Sequence, residues 1–454
     1  MISRAARALG GAVVTALGVF ATLSAVQAAA VPVEVKASLD KSVLRAGDKQ
    51  TAYLRIAIEA AKRPQANRAP MNIALVIDRS GSMSSDRRIE NARKAAQLAV
   101  DRLGRDDILA VVSYDDKVEV EVPATKVTDA DSIKDKIGRL KPRGSTAIHA
   151  GLLAGANEIR KFKSKERVNR IILLSDGLAN VGPSKASDFV SLGKELGSEG
   201  ITVSTLGLGN GYNEDLMAGL ARAADGGHAF VQESADLSNF IAKEFDDTLG
   251  IVGQQAEIIV TLNEGVSPVR TLGRSADVSG NQIVYKVGAL FGGADQILVT
   301  EVAVASLSVA EQREIAKIEV AYTDPATGQR VTASGIAKAR FSDDREASDK
   351  SANPMVEREV ATLLSREARQ EAVKLRDEGK VEEARRKFDD NARFLSAKKA
   401  ALPAAAQDYQ PLNDEINAST AAAAPAAQSS EGWAKERKAQ RYMDSNKAGS
   451  ASKY

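Results

Sequence analysis

The chain contains no cysteine, which excludes both disulfide bridges and lipid modification of an N-terminal cysteine. Histidine is almost as scarce. His149 and His228 are the only two, so chemistry that needs a placed imidazole has little to draw on. Neither sign of charge prevails: 62 Lys and Arg face 60 Asp and Glu, leaving no overall field to draw the protein onto nucleic acid or an acidic surface. Beyond the N-terminal segment no run is long and apolar enough to span a bilayer, so membrane association is not required of the rest.

What is present begins with an address. Arg4 and Arg7 precede an uncharged stretch rich in Ala and Gly that ends in small residues around Ala28, the layout of a secretory signal peptide over residues 1–30, with cleavage expected after Ala28 or Ala30. An uncleaved anchor is the competing reading, since no charge intervenes between Arg7 and Glu34, but Ala, Gly, Thr and Ser outnumber Leu and Ile there. The mature chain is expected to be exported, to a periplasm or beyond, and Ala-rich helices without disulfides suggest a bacterial cell envelope.

At 454 residues with 44% hydrophobic composition, two or three domains are expected. Apolar residues alternate near 31–35 and 54–58, and again through 258–262, 283–287, 297–304 and 318–331, the pattern of an antiparallel β-sandwich. Two strands alone are marginal in water, so the early pair is expected to join the later set. That places residues 71–250 as an insertion in a β-sandwich-like domain made of 31–70 plus 251–345. The insertion has another rhythm: apolar runs at 73–77, 108–112, 171–174 and 201–208 alternate with helical stretches near 89–103, 148–162 and 189–196. This predicts α/β architecture, a doubly wound, mostly parallel sheet, with 117–122 as an edge strand. Residues 352–415 predict a helical hairpin broken at Gly379, part of it similar to one tetratricopeptide unit, and 416–454 a disordered tail in which Trp433 has no evident role.

The first parallel strand runs into Asp78-Arg79-Ser80-Gly81-Ser82. A carboxylate and two hydroxyls at alternate positions, with a glycine to tighten the turn, offer oxygens to one hard cation. A D-x-S-x-S string arises by chance in a chain this long about one time in ten, so it carries little alone. Two further segments raise its weight: Gly144-Ser145-Thr146 leads into a helix, and Ser175-Asp176-Gly177 ends another buried strand. Together Asp78, Ser80, Ser82, Thr146 and Asp176 match, position by position, the metal-ion-dependent adhesion site (MIDAS) of the von Willebrand factor type A (VWA) domain, and residues 71–250 resemble that domain. The resemblance implies a Rossmann-like fold and one divalent cation, Mg²⁺ with Mn²⁺ or Ca²⁺ as alternatives. It also implies that Ser80, Ser82 and Thr146 contact the metal, that Asp78 and Asp176 often act through water, and that a protein partner supplies the carboxylate completing the shell. The flanking strands and terminal helices are similar, more loosely, to bacterial exported relatives of calcium-activated chloride channel regulators and inter-alpha-trypsin inhibitor heavy chains. The H-E-x-x-H string of some regulators is absent, so protease activity is not implied.

Other features have plainer explanations. Asp115 and Asp116 resemble a solvated turn, His149 a packing or capping residue, and Gly207, Gly209 and Gly211 a strand-end turn, because Tyr212 breaks the phosphate-loop spacing. Ser80 or Ser82 as a hydrolase nucleophile lacks G-x-S-x-G and a placed base. The chain is therefore expected to be a metal-dependent protein-binding module and no enzyme. The alternatives are a structural or assembly factor whose metal only stiffens a loop, and a metal-assisted hydrolase.

Overall fold

A computed structural model describes residues 32–64, 68–209, 211–424 and 429–449, without the side chains of 442 and 445–449. The expected signal peptide lies outside the described residues. Strands β1 (Val33–Leu39), β2 (Val43–Arg45) and β3 (Gln50–Ala60) come first. An α/β unit follows: β4 (Met71–Asp78), α1 (Arg88–Asp101), β5 (Ile108–Tyr114), β6 (Val118–Lys126), α2 (Ala130–Gly138), α3 (Ile148–Arg160), β7 (Val168–Ser175), α4 (Ala186–Ser198), β8 (Thr202–Leu208), α5 (Glu214–Ala223), β9 (His228–Val231) and α6 (Leu237–Leu249). The chain then returns to strands β10 (Ile251–Leu262), β11 (Val266–Leu272), β12 (Asp277–Ser279), β13 (Gln282–Phe291), β14 (Asp295–Val304), β15 (Ala310–Thr323) and β16 (Arg330–Ser342).

In the α/β unit the sheet order is β6-β5-β4-β7-β8-β9, parallel throughout except for β6, which pairs antiparallel with β5 at the edge. Every residue of β4, β5 and β7 is buried, as strands covered on both faces must be, and this is why they appear in the sequence as unbroken apolar runs. One core packs α1, α2 and α6 on one face; another packs α3, α4 and α5 on the other. The chain goes from β4 outward to β5 and later returns to lay β7 on β4's other side. The crevice above the carboxyl ends of β4 and β7 is therefore a topological switch point, where ligands bind in open α/β sheets.

The early strands do not stand alone: β1 and β3 form a sheet with β14 and β11, and β2 joins the sheet β12-β13-β10-β15-β16 through β16. Apolar residues from both sheets share one core, and the α/β unit leaves this sandwich after β3 and returns at β10.

The C-terminal region departs from expectation. Helices α7 (Arg345–Asp349), α8 (Pro354–Asp377), α9 (Val381–Ala401) and α10 (Ala404–Gln407) are followed by α11 (Gln410–Ala423) and α12 (Ser430–Gly449). The hairpin α8–α9 turns at Gly379, whose φ of +81° suits glycine, but where 416–454 was expected to be a disordered tail the described residues 416–423 and 430–449 are helical. Trp433 is only 8% exposed, packs on Phe388 with ring centroids 6.2 Å apart, and donates from Nε1 to Asp377 Oδ1 at 3.3 Å. The sequence hides this because the segment buries little large apolar surface and relies instead on alanines and paired charges, among them buried Arg369 held by Glu415 and Asp444. No helix among the described residues is long and apolar enough to cross a membrane.

Candidate functional site

Strand β4 delivers Asp78 at its carboxyl end, where it is fully buried. Its Oδ1 accepts the backbone N–H of Ser80 at 2.8 Å and its Oδ2 the hydroxyl of Ser175 at 2.6 Å. Burial pushes the Asp78 carboxyl up to about 6, against those two donors, with the nearby Asp176 charge pushing the same way. Among the described residues no ion pair reaches Asp78, so a buried carboxylate stands without a counter-charge.

Around it the other four residues converge. Ser80 and Ser82 Oγ lie 3.0 Å apart, and Ser82 Oγ donates to Asp176 Oδ1 at 2.7 Å. A Cβ built on Gly177 falls 3.5 Å from both Ser82 Oγ and Thr146 Oγ1, which ties Thr146 to the same group. Asp78, Ser80, Thr146 and Asp176 are buried while Ser82 is exposed. The oxygens thus line a depression with one side facing water. Among the described residues no three acidic, His or Cys side chains are placed to hold a metal, so a cation here would depend on hydroxyls as well as on Asp78 and Asp176. That suits a hard ion that keeps part of its water shell, and the orphaned carboxylate of Asp78 supplies the charge such an ion needs.

The loops are locked together by contacts that the motif does not reveal. Gly81 N–H donates to Gly144 O at 3.0 Å and Arg143 N–H to Arg79 O at 2.7 Å, joining the first loop to the second. Gly144 has a φ of +67°, and a Cβ there would lie 2.1 Å from Asp116 Oδ1, so only glycine fits. Asp115, taken from sequence as part of a solvated turn, is buried. Its Oδ2 lies 2.9 Å from Arg79 Nε and 2.7 Å from Arg143 Nε, and its backbone carbonyl accepts Ala147 N–H at 2.8 Å. Asn180 accepts Thr146 N–H on Oδ1 at 2.7 Å and returns its own N–H to Thr146 O at 3.2 Å. Arg88, at the start of α1, reaches Asp176 Oδ2 at 2.6 Å. Arg88, Asp115, Arg143 and Asn180 carry no signal of these roles because each is an ordinary polar residue outside the three recognised strings.

Both histidines lie elsewhere. His149 meets Phe189 edge-on with centroids 5.7 Å apart. His228 is buried with Thr205 Oγ1 at Nδ1 and Tyr212 OH at Nε2, and burial pushes it down to about 4. Gly207 and Gly209 end β8 and its turn, with Tyr212 packed so closely over Gly207 that a Cβ would lie 2.3 Å from its ring.

A doubly wound sheet with an oxygen-lined crevice at its switch point defines a ligand-binding α/β domain. The α/β unit is a von Willebrand factor type A domain: residues 72–243 match the family model of that description, and such domains commonly mediate protein–protein interaction. An uncharacterized protein of Synechocystis sp. is 29% identical over 286 residues, 61% of this chain and 67% of that protein. Bovine calcium-activated chloride channel regulator 1 is 30% identical over 162 residues, 35% of this chain and 17% of its own length. Human inter-alpha-trypsin inhibitor heavy chain H3 is 27% identical over 176 residues, 37% of this chain and 20% of its own. The chain thus spans about a fifth of either animal relative. A solved von Willebrand factor type A protein from Catenulispora acidiphila superposes with a TM-score of 0.72 over 91% of this chain and 96% of that one, at 16% identity. At that identity the likeness is one of fold, and it extends across the sandwich and helices as well as the α/β unit.

Proposed function

We propose that the protein is a metal-dependent protein-binding module of the bacterial cell envelope, in which Asp78, Ser80, Ser82, Thr146 and Asp176 hold one divalent cation, Mg²⁺ before Mn²⁺ or Ca²⁺. The observation that carries this reading is the buried, cation-free carboxylate of Asp78 beneath three hydroxyls that open to water at Ser82. Leaving such a charge unpaired costs several kcal/mol, and a bound cation would offset it. When bound, the cation would offer an electrophilic face to an incoming carboxylate, so the partner is a protein that presents an Asp or Glu side chain. Ser175 and the Ser80 N–H fix both oxygens of Asp78, which keeps that carboxylate supporting the hydroxyls rather than competing for the open face. The envelope location is supported by the N-terminal address.

Calorimetric titration of the mature chain with Mg²⁺ tests the site directly. Wild type is expected to bind one ion and Asp78→Ala to lose at least tenfold in affinity, about 1.4 kcal/mol or more. Equal binding by both proteins would overturn the assignment. Capture of partners from an envelope extract is expected to fail in EDTA; capture that ignores the chelator favours the structural alternative, in which the metal only stiffens a loop.

A further inference from the structure

Asp176 differs from Asp78 in one respect: it already has a cation. Arg88 places Nη1 2.6 Å from Asp176 Oδ2 and Nη2 3.0 Å from Asp86 Oδ2, while Asp176 Oδ1 accepts the Ser82 hydroxyl at 2.7 Å. Both oxygens of Asp176 are therefore engaged by donors of the chain itself. The backbone is bent to bring this about. Asp86 and Arg87 have φ of 51° and 54°, two successive non-glycine residues in the left-handed region, and α1 starts at the next residue, Arg88. Backbone of that kind persists where its surroundings impose it, and it gathers at functional sites. Here Ser234 donates to Asp86 O at 2.8 Å and accepts from Asn91 Nδ2 at 2.7 Å, pinning the bend from the far side of α1.

We propose that Arg88 is the resident counter-charge of the site: it neutralises Asp176 when no metal is bound, and by holding that carboxylate and repelling a second cation it sets how tightly metal binds. The inference rests on the metal-binding reading of Asp78, Ser80, Ser82, Thr146 and Asp176. Two carboxylates that share the crevice repel, and Arg88 cancels one of the two charges without metal. Once a divalent ion enters, the same guanidinium still attracts Asp176 but also repels the second positive centre, which offsets part of what the ion gains from the carboxylates. One residue thus stabilises the metal-free protein and weakens metal binding, a pair of opposite effects that a merely structural ion pair does not produce. The consequence for function is a site that fills and empties with the surrounding ion concentration and that does not carry its metal permanently.

The full mature chain bearing Arg88→Gln, and a second variant Arg88→Lys that keeps the charge, distinguish these cases. Each is titrated with Mg²⁺ by calorimetry and melted both in EDTA and in saturating Mg²⁺. Arg88→Gln is expected to bind Mg²⁺ about tenfold more tightly, the scale of one partly screened unit charge. It is also expected to melt below wild type in EDTA, and to recover more than wild type does on adding Mg²⁺. Arg88→Lys is expected to stay within about twofold of the wild-type affinity. Unchanged or weaker Mg²⁺ binding by Arg88→Gln, with both melts lowered equally, overturns the inference and leaves Arg88 a structural residue. Failure of wild type itself to bind Mg²⁺ is a separate outcome that overturns the metal-binding reading and this inference with it.

Discussion

Asp115 shows how far a side chain's role can lie from its local sequence. Two acids after a strand look like a solvated turn, and Asp116 is exposed as such a turn would have it, yet Asp115 is buried against Arg79 and Arg143. Arg79 belongs to the D-x-S-x-S string and Arg143 to the loop that presents Thr146, so one carboxylate gathers two of the three loops that form the site. The five oxygen residues were legible because their spacing is a local property of single turns. Asp115, Asn180 and Arg88 were not, because their significance lies in partners distant in sequence that only the fold brings near. Asp115→Asn keeps an acceptor for the Lys117 N–H, which now lies 2.7 Å from Oδ1, but removes the charge facing two guanidiniums. With Glu119 and Glu121 still beside Arg79, the expected loss is about 1–3 kcal/mol of stability in urea unfolding. Mg²⁺ affinity is expected to fall severalfold although no proposed ligand has changed. A folded variant with undiminished Mg²⁺ affinity would show that the network stabilises the loops without positioning them.

Helix α3 meets the sheet more closely than helices usually do, and this fixes where Thr146 can stand. A Cβ on Gly155 would lie 2.6 Å from Val76 Cγ2, and one on Gly151 2.7 Å from Tyr114 Cδ1, so both glycines face β4 and β5 directly. Because α3 begins two residues after Thr146, the depth at which it packs sets the height of that hydroxyl above the strand ends. Gly155→Ala removes the entropic penalty of a helical glycine, about 1 kcal/mol, but overpacks a buried contact at a cost of about 1–3 kcal/mol. The clash falls on a β-branched side chain with little rotamer freedom, so net destabilisation is expected, read as a lower urea midpoint with an unchanged slope. A raised midpoint would mean that α3 can lift off the sheet freely. The alternation of strands and helices was evident because β4, β5 and β7 each carry an apolar run at 73–77, 108–112 and 171–174, whereas α2, α5 and α6 were overlooked beside the three stronger helical stretches. The caps Asp129 and Asn213, which accept from Ser132 and Leu216 N–H at 3.1 Å each, were the signals available for two of them.

Across the whole molecule the C-terminal helices act as a strap between the two larger units. Helix α8 lies on the sandwich, where Val356 and Val360 join Leu272 and Val299 and the buried pair Arg55–Glu359 closes the contact at 2.6 Å. Helix α12 then reaches the other unit: Arg437 joins Glu214 and Asp215 of α5 to Asp377 of α8, and Lys438 Nζ sits 3.2 Å from Tyr212 O and 2.7 Å from Glu214. The residue before Tyr212 is Gly211, where a Cβ would lie 3.0 Å from Asp176 O, so the strap ends against the loop that backs the proposed metal site. Helix α8 was legible from its apolar Val356 and Val360, but the reach of α12 was not, because the partners of Arg437 lie up to 223 positions away and a lysine- and alanine-rich stretch has no pattern that names them. Arg437→Ala leaves Lys438 beside Glu214 and Arg441 beside Asp215 but takes the guanidinium from Asp377 and breaks the link between α5 and α8, which is expected to cost about 1–2 kcal/mol. The loss should be local: hydrogen–deuterium exchange is expected to quicken in α5 and the 211–213 turn while β4, β5 and β7 keep their protection. Uniform loss of protection across the α/β sheet would instead mean that the strap and the sheet unfold as one unit. Unchanged protection in α5 would mean that α12 does not hold it in solution.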